Sequence, residues 1–327
     1  MRKYKRIYFW ADADRTIGYG HFIRSLALAD MLKDNFECIF CTQLPSDYQK
    51  REMSKVCSYV ELPADERKFS IFLDLLKGDE IVVLDNYFFT TEYQCAIRAK
   101  GCKLVCLGTN DKHYVADLII SQCSLDVNSF IAKPYTRFCI GLEWALLRQS
   151  FLFQTNKRKV WNVPRRIVVC FGGTDFYNLT GKVVKLLNQI PFVEEVNVIV
   201  GDVYQGDIDI NSGIKVTLYK NLSADDIVAV FDDNDIAILS ASSVCVEAMA
   251  CGIPVFAGYY VENQRGFYDI ITQANYVIGL GNLLEKEWQE RLLQAMENKV
   301  FFHLSSPFRN LSDIKVRYNQ VFMELCG

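Results

Sequence analysis

Along most of the chain, short runs of β-branched and aromatic residues alternate with stretches whose apolar positions recur every three or four residues. Continuous apolar runs of four to eight residues read as buried strands, and the 3.6-residue period reads as amphipathic helix. The N-terminal half predicts strands at Lys5–Trp10, Glu37–Thr42, Tyr59–Leu62, Glu80–Leu84, Lys103–Leu107 and Leu118–Ser121. Between them it predicts helices at His21–Lys33, Ser46–Lys55, Glu66–Lys77 and Thr91–Ala99. In the first helix, Ile23, Leu26, Ala27 and Met31 share one stripe, the spacing of a buried face.

A second series begins at Arg166–Phe171. It continues through a helix at Leu179–Leu187, strands at Glu195–Val200 and Lys215–Tyr219, and a helix at Ala224–Phe231. Then come a strand at Ile236–Ser240, a helix at Ser243–Ala250 and a strand at Pro254–Ala257. Strands with so few polar positions, each followed by a helix, argue for an α/β fold with parallel sheets covered on both faces. Residues 149–164 are polar and basic without clear period and read as a linker. The expected domains are 1–155 and 156–305. Residues 306–327 carry a last helix, Ser312–Leu325, after Pro307, which either stays with the second domain or crosses back to the first.

Composition narrows the function classes. The 327 residues are 50% hydrophobic and 23% charged, with a net charge of −3. Such a balance has no basic excess to attract nucleic acid or an anionic membrane. No run approaches the ~18 apolar residues of a membrane span, so no membrane insertion is expected. The N-terminus MRKYKRIYFWADAD does not read as a signal peptide; a cytoplasmic location is expected. Most of the twelve cysteines sit inside apolar runs and read as reduced core residues. His21, His113 and His303 show no ligand spacing, so neither a metal nor a cofactor is expected. The oligomeric state is not legible.

Chemistry can sit at the ends of the predicted strands, where open α/β sheets bind ligands. The first place is the loop from Asp12 to His21. Gly18-x-Gly20 can turn tightly and bring backbone close to a ligand. It is not a dinucleotide fingerprint, because Ile23 stands three residues after Gly20. His21 reads either as a polar helix-start residue or as a base, since the positive end of a helix disfavours an imidazolium. Asp12 or Asp14 would orient it or hold hydroxyls, and Arg24, one turn on, would reach an anionic group.

The second place is FGGTD. Gly172, Gly173 and Thr174 follow a strand, and their N–H groups would face a phosphate, or else the segment is a plain strand-to-helix turn. The third is SASSVCVEAMACGIPV, where Ser242 or Ser243 would cap a helix. Glu247 lies four residues after Ser243, outside a capping box, and reads as a ribose ligand or as solvated surface. The fourth is Asn263-Gln264, two neutral amides suited to sugar hydroxyls or acetamides, or an ordinary loop. Asp85-Asn86-Tyr87 and Asn110-Asp111 are weaker candidates.

Taken in order, these segments resemble the PseG (SpsG-like) family of UDP-2,4-diacetamido-2,4,6-trideoxy-β-L-altropyranose hydrolases. DADRTIGYGHFIRSLALADML, GLEWALLRQSF, FGGTDFYNLT, SASSVCVEAMACGIP and Asn263-Gln264 carry the resemblance over nearly the whole chain. It implies a GT-B architecture, two Rossmann-like doubly wound domains with the ligand in the cleft, similar to MurG. It also implies cleavage at the anomeric carbon, with water replacing UDP and inversion. By resemblance His21 is the water-activating histidine, Asp14 an acidic partner and Tyr87 a tyrosine of the sugar pocket. Glu247 falls at the ribose and Gly173, Thr174, Ser242 and Ser243 about the diphosphate. Gly18, Gly20, Arg24, Asn110, Asn263 and Gln264 complete the expected substrate contacts. Trp10, Trp144 and Gln149 depart from the family pattern, which usually has arginine, tyrosine and glutamate there.

The resulting expectation is a UDP-sugar hydrolase of pseudaminic acid-type biosynthesis. The alternative on the same architecture is a GT-B glycosyltransferase of surface polysaccharide synthesis, which an exposed apolar patch beside the N-terminal loop would favour. A non-catalytic nucleotide-sugar sensor is a third possibility.

Overall fold

The computed structural model describes residues 5–14, 18–108, 112–154, 163–172, 175–201, 204–208, 213–298, 304–308 and 311–327. The chain forms two compact units, one of Met1–Gln149 with Ser312–Gly327, the other of Ser150–Leu311.

The first unit runs β1 (Arg6–Trp10), α1 (Gly20–Leu32), β2 (Glu37–Gln43), α2 (Asp47–Val56), β3 (Ser58–Leu62), α3 (Arg67–Leu75), β4 (Ile81–Leu84) and α4 (Thr91–Ala99). There follow β5 (Lys103–Leu107), β6 (His113–Tyr114), β7 (Leu118–Ser121), β8 (Ile131–Ala132) and β9 (Arg137–Ile140). Seven strands form one parallel sheet in the order β3-β2-β1-β4-β5-β7-β9, and β6 pairs with β8. β1 lies between β2 and β4, with Tyr8 opposite Ile39 on one side and Val82 on the other. The strand order therefore reverses at β1 and β4, and the connections leaving their carboxyl ends diverge and open a crevice.

Local chemistry explains the bounds. The helix expected to reach Lys77 stops at Leu75, and the N–H groups of Lys77 and Gly78 donate to the Glu80 carboxylate. Gly78, at φ +103°, makes that turn, and Glu80 thereby serves the turn, so β4 begins at Ile81. Trp10 is fully buried against Phe72 (4.7 Å between ring centroids), Phe89 (5.0 Å) and Phe69 (5.6 Å). Aromatic faces of this size bury ~150–250 Å² each, so Trp10 anchors one face of the sheet. α1 departs from its expected single stripe. Ile23 is only half-buried, whereas Phe22, Leu28, Ala29 and Leu32 are buried as well.

After α5 (Gln149–Leu152), which begins on the last residue of the first unit's main segment, the second unit runs β10 (Arg166–Cys170), α6 (Leu179–Leu187), β11 (Glu195–Val200), β12 (Lys215–Lys220), α7 (Ala224–Asp233), β13 (Ile236–Ser240) and α8 (Ser243–Cys251). It continues with β14 (Val255–Tyr259), α9 (Glu262–Gln273), β15 (Ile278–Asn282) and α10 (Glu287–Glu297). Its six-stranded parallel sheet, in the order β12-β11-β10-β13-β14-β15, reverses between β10 and β13. The expected linker thus opens with a short helix; its residues 155–162 lie outside the described ones.

The last helix, α11 (Ser312–Cys326), packs on α1. Asn319 Nδ2 donates to the Met31 carbonyl at 2.9 Å, Lys315 pairs with Asp34 at 2.7 Å, and Phe322 meets Phe36. This second cover is why α1 is buried on more than one side. Trp144, in a turn at Leu142–Trp144, accepts a 2.6 Å hydrogen bond from Tyr318 at its carbonyl and meets that ring edge-on. Its role is to fasten α11.

Candidate active site

In the first unit, the β1–α1 and β4–α4 connections meet where the strand order reverses. The Asp85 N–H donates to the Trp10 carbonyl at 3.0 Å and ties the two strand ends together. Gly18, at φ +78°, turns the chain into α1, a backbone region that only glycine enters freely. The residue before the helix, Tyr19, caps it with no side chain, so the positive end of α1 is unscreened beside His21.

His21 and Asp85 are both buried, with the His21 Nδ1 2.6 Å from Asp85 Oδ1. Arg24 Nε donates to Asp85 Oδ2 at 2.6 Å, its Nη2 donates to Oδ1, and Ser25 Oγ donates to Oδ2 at 2.9 Å. The Tyr87 ring stands edge-on to the imidazole, 4.6 Å between centroids and at 88°. His21, Arg24, Asp85, Asn86 and Tyr87 line one pocket with Leu107, Lys112 and Tyr114.

Burial works against the Asp85 carboxylate, yet the charge of Arg24 and the hydrogen bonds from Arg24 and His21 hold it well below the usual carboxylate range. Arg24 loses solvation and is nonetheless held more firmly protonated by Asp85. An ionised Asp85 can only accept hydrogen bonds. His21 Nδ1 therefore carries the proton and donates it to Oδ1, and the lone pair resides on Nε2. That is the tautomer a general base requires.

Three expected residues, His21, Arg24 and Tyr87, come together here. Arg24 differs from its expected role, because its guanidinium is engaged by Asp85 rather than held out for an anionic ligand. Asp14 does not line the pocket; it is exposed, and its carbonyl accepts from the Gly18 N–H at 2.9 Å. Asp12 is buried and faces the end of β2, accepting from Gln43 N at 2.9 Å and Thr42 Oγ1 at 3.2 Å. Asp85 is thus the partner of His21, in place of Asp12 or Asp14. Gly20 opens α1 with no heavy atom of the described residues within 4 Å of where a Cβ would stand. Asn110 lies outside the described residues. Sequence reasoning gave little weight to Asp85 and Asn86 and missed Lys112 and Tyr114. The doubly wound strand order, which sets β4 beside β1, is the signal that pairs residue 85 with residue 21.

The corresponding place in the second unit joins the ends of β10 and β13. After Phe171, Gly172 turns at φ +90°; Gly173 and Thr174 lie outside the described residues. The Asp175 carboxylate accepts from the N–H groups of Leu179 (2.9 Å) and Thr180 (2.8 Å), and Asn178 accepts from Gly181 at 3.3 Å. The first N–H groups of α6 are thus satisfied within the chain. α8 differs. Ser242 sits at its N-cap but accepts no cap bond, correcting the expected capping role, and its hydroxyl instead meets Ser240 Oγ at 3.0 Å. Glu247 is buried on α8, which removes the solvated-surface reading. Asn263 and Gln264 form the first turn of α9 rather than a loop, and Gln264 Oε1 accepts from the Tyr260 N–H at 3.1 Å.

No family model matches the chain. It is 26% identical over 279 residues to an uncharacterized protein of Methanocaldococcus jannaschii, spanning 79% of this chain and only 56% of that one. It is 21% identical over 294 residues to the UDP-2,4-diacetamido-2,4,6-trideoxy-beta-L-altropyranose hydrolase of Campylobacter jejuni, covering 84% of this chain and 98% of the relative. To the spore coat polysaccharide biosynthesis protein SpsG of Bacillus subtilis it is 23% identical over 289 residues, covering 85% of each. Among solved structures, MurG of Acinetobacter baumannii superposes with a TM-score of 0.61 at 12% identity, over 97% of this chain and 95% of that one. Anabaena Alr3699/HepE in complex with UDP-glucose gives 0.61 at 14% identity over 98% of both. In sequence the chain is thus similar to the PseG-type hydrolase and to SpsG, and its fold is the GT-B fold of MurG and HepE.

Proposed function

We propose that the protein is a nucleotide-sugar hydrolase that removes UDP from a UDP-linked diacetamido trideoxy sugar. The observation that carries this reading is the buried His21–Asp85 pair at the strand-order reversal of the first unit, with Nε2 left to take a proton. In the proposed step, Nε2 takes a proton from water, the water oxygen bonds to C1 of the sugar, and the bond from C1 to the diphosphate oxygen breaks. The electron pair leaves with UDP and the configuration at C1 inverts. A base so placed contributes roughly 10²–10⁴-fold.

The second unit is assigned the nucleotide. α8 offers uncapped N–H groups beside the Ser242 and Ser243 hydroxyls, a setting suited to a diphosphate, and Glu247 one turn on is assigned the ribose. Gly172, Gly173 and Thr174 are assigned to the diphosphate as well, and Asn263 and Gln264 to the sugar's polar groups. The relatives named above support a UDP-sugar enzyme of polysaccharide biosynthesis. Leu44, the residue after β2, is exposed, and a single exposed leucine is ordinary for a protein surface.

The test is incubation with a panel of UDP-diacetamido sugars in the absence of acceptor, following UDP release and the product's anomeric form by NMR. Release of an inverted free sugar supports the reading. UDP release only on addition of a sugar or lipid acceptor would make the protein a transferase.

A further inference from the structure

We propose that Asn86 holds a neutral oxygen of the sugar beside His21, and so sets which sugar the pocket accepts. This rests on the UDP-sugar reading above. The side-chain Oδ1 of Asn86 accepts from the Tyr87 N–H at 2.8 Å. That bond fixes the amide's orientation, because a flipped amide would set its NH₂ group against another donor. Nδ2 is then turned the other way, buried and with no acceptor among the described residues.

The backbone cannot easily move to relieve it. Lys112 Nζ donates to the carbonyls of both Asn86 and Tyr87 and holds the turn, while Asp85 is fixed by Arg24 and His21. The other cation of this wall, Arg24, already donates to Asp85. Asn86 lines the same pocket as His21, and its Nδ2 is the buried donor left unmatched there. A buried donor without a partner is unfavourable, and the partner it lacks is an acceptor. A carboxylate or phosphate would be matched by a cation rather than by a neutral amide, so the fitting group is a hydroxyl oxygen or the carbonyl oxygen of an acylamino substituent. Asn86 acts by binding, and no proton passes through it.

The test uses Asn86→Asp, which keeps the oxygen that accepts from Tyr87 but replaces the donor by an acceptor, and Asn86→Ala as a second variant. With the UDP-sugar that the wild type turns over best, kcat/KM is expected to fall about 10-fold or more in both, mainly through KM. UDP affinity by calorimetry and the melting temperature of Asn86→Asp should stay close to wild type. A pair of UDP-sugars differing only in acylamino against hydroxyl at one carbon separates the two oxygens. A loss confined to the acylamino substrate assigns the carbonyl, and an equal loss on both assigns a hydroxyl. A kcat/KM within twofold of wild type in both variants, with His21→Ala inactive, would overturn the assignment. Absence of UDP release by the wild type from every sugar would count against the hydrolase reading instead. Asn86 is then judged by its side-chain NH₂ resonances during titration with UDP-N-acetylglucosamine: a shift supports the contact, and unmoved resonances at saturation reject it.

Discussion

Replacing Asp85 by asparagine perturbs the site with little change of shape, and its cost follows from the hydrogen bonds. The carboxylate accepts from His21 Nδ1, from both arms of Arg24 and from Ser25 while only 1% exposed. An amide retains one acceptor oxygen, so whichever way it turns, Arg24 loses half of a bidentate pair and faces a neutral group. Removing one partner of a buried pair costs about 3–5 kcal/mol. The Arg24 side chain is 21% exposed and keeps one bond, which places the expected loss at the lower end, about 2–3 kcal/mol. For a unit of this size that lowers the melting temperature by roughly 5–10 °C.

The same change frees the imidazole from its fixed tautomer, so UDP release should fall by about 10²–10⁴-fold. The pH dependence has a definite sign. The folded-state value of Asp85 lies below that of the unfolded chain, so its stabilisation is complete above the unfolded-state value of about 4 and drains away as pH falls below it. The stability gap between wild type and Asp85→Asn should be constant from about pH 8 to pH 5 and should narrow in more acid solution. Urea unfolding across pH together with UDP-release kinetics measures both parts. A gap under about 0.5 kcal/mol, a gap that widens on acidification, or undiminished turnover would refute the reasoning.

Gly18→Ala is expected to cost roughly 1–2 kcal/mol, because φ is +78° there. Gly20→Ala meets no atom of the described residues and should leave the melting temperature unchanged or higher, while lowering turnover if the sugar approaches that backbone. Asp175→Ala removes the acceptor of two helix N–H groups and should cost about 1–2 kcal/mol in chemical denaturation. Ser242→Ala caps nothing away and should leave unfolding within about 0.5 kcal/mol while weakening UDP binding in calorimetry.

Most of the architecture was legible because its cause is local. Near-continuous apolar runs such as IVVL and IVVC specify strands buried on both faces, and the segments between them carry helical period. The two-residue strands β6 and β8 carry too little pattern to be seen. The α9 helix was hidden by its polar first turn, Glu262-Asn263-Gln264, which reads as loop. His21 was legible from its own setting at a glycine turn and helix start. Its partner was not, because Asp85 lies 64 residues away and meets it only through the order of β1 and β4. The acidic residues nearest in sequence, Asp12 and Asp14, drew the assignment that belongs to Asp85. Arg24 was read as a ligand for anions because a charge on an amphipathic helix gives no sign of a buried counter-charge on another strand. Trp10 looked like a change in the site's chemistry, and its buried ring among Phe69, Phe72 and Phe89 shows a packing role.

The central claim, that His21 removes the proton from the attacking water, is tested most directly by His21→Asn assayed for UDP release without acceptor, alongside UDP binding by calorimetry. The expected result is turnover lower by about 10²-fold or more with UDP affinity retained. Turnover equal to wild type would contradict the assignment.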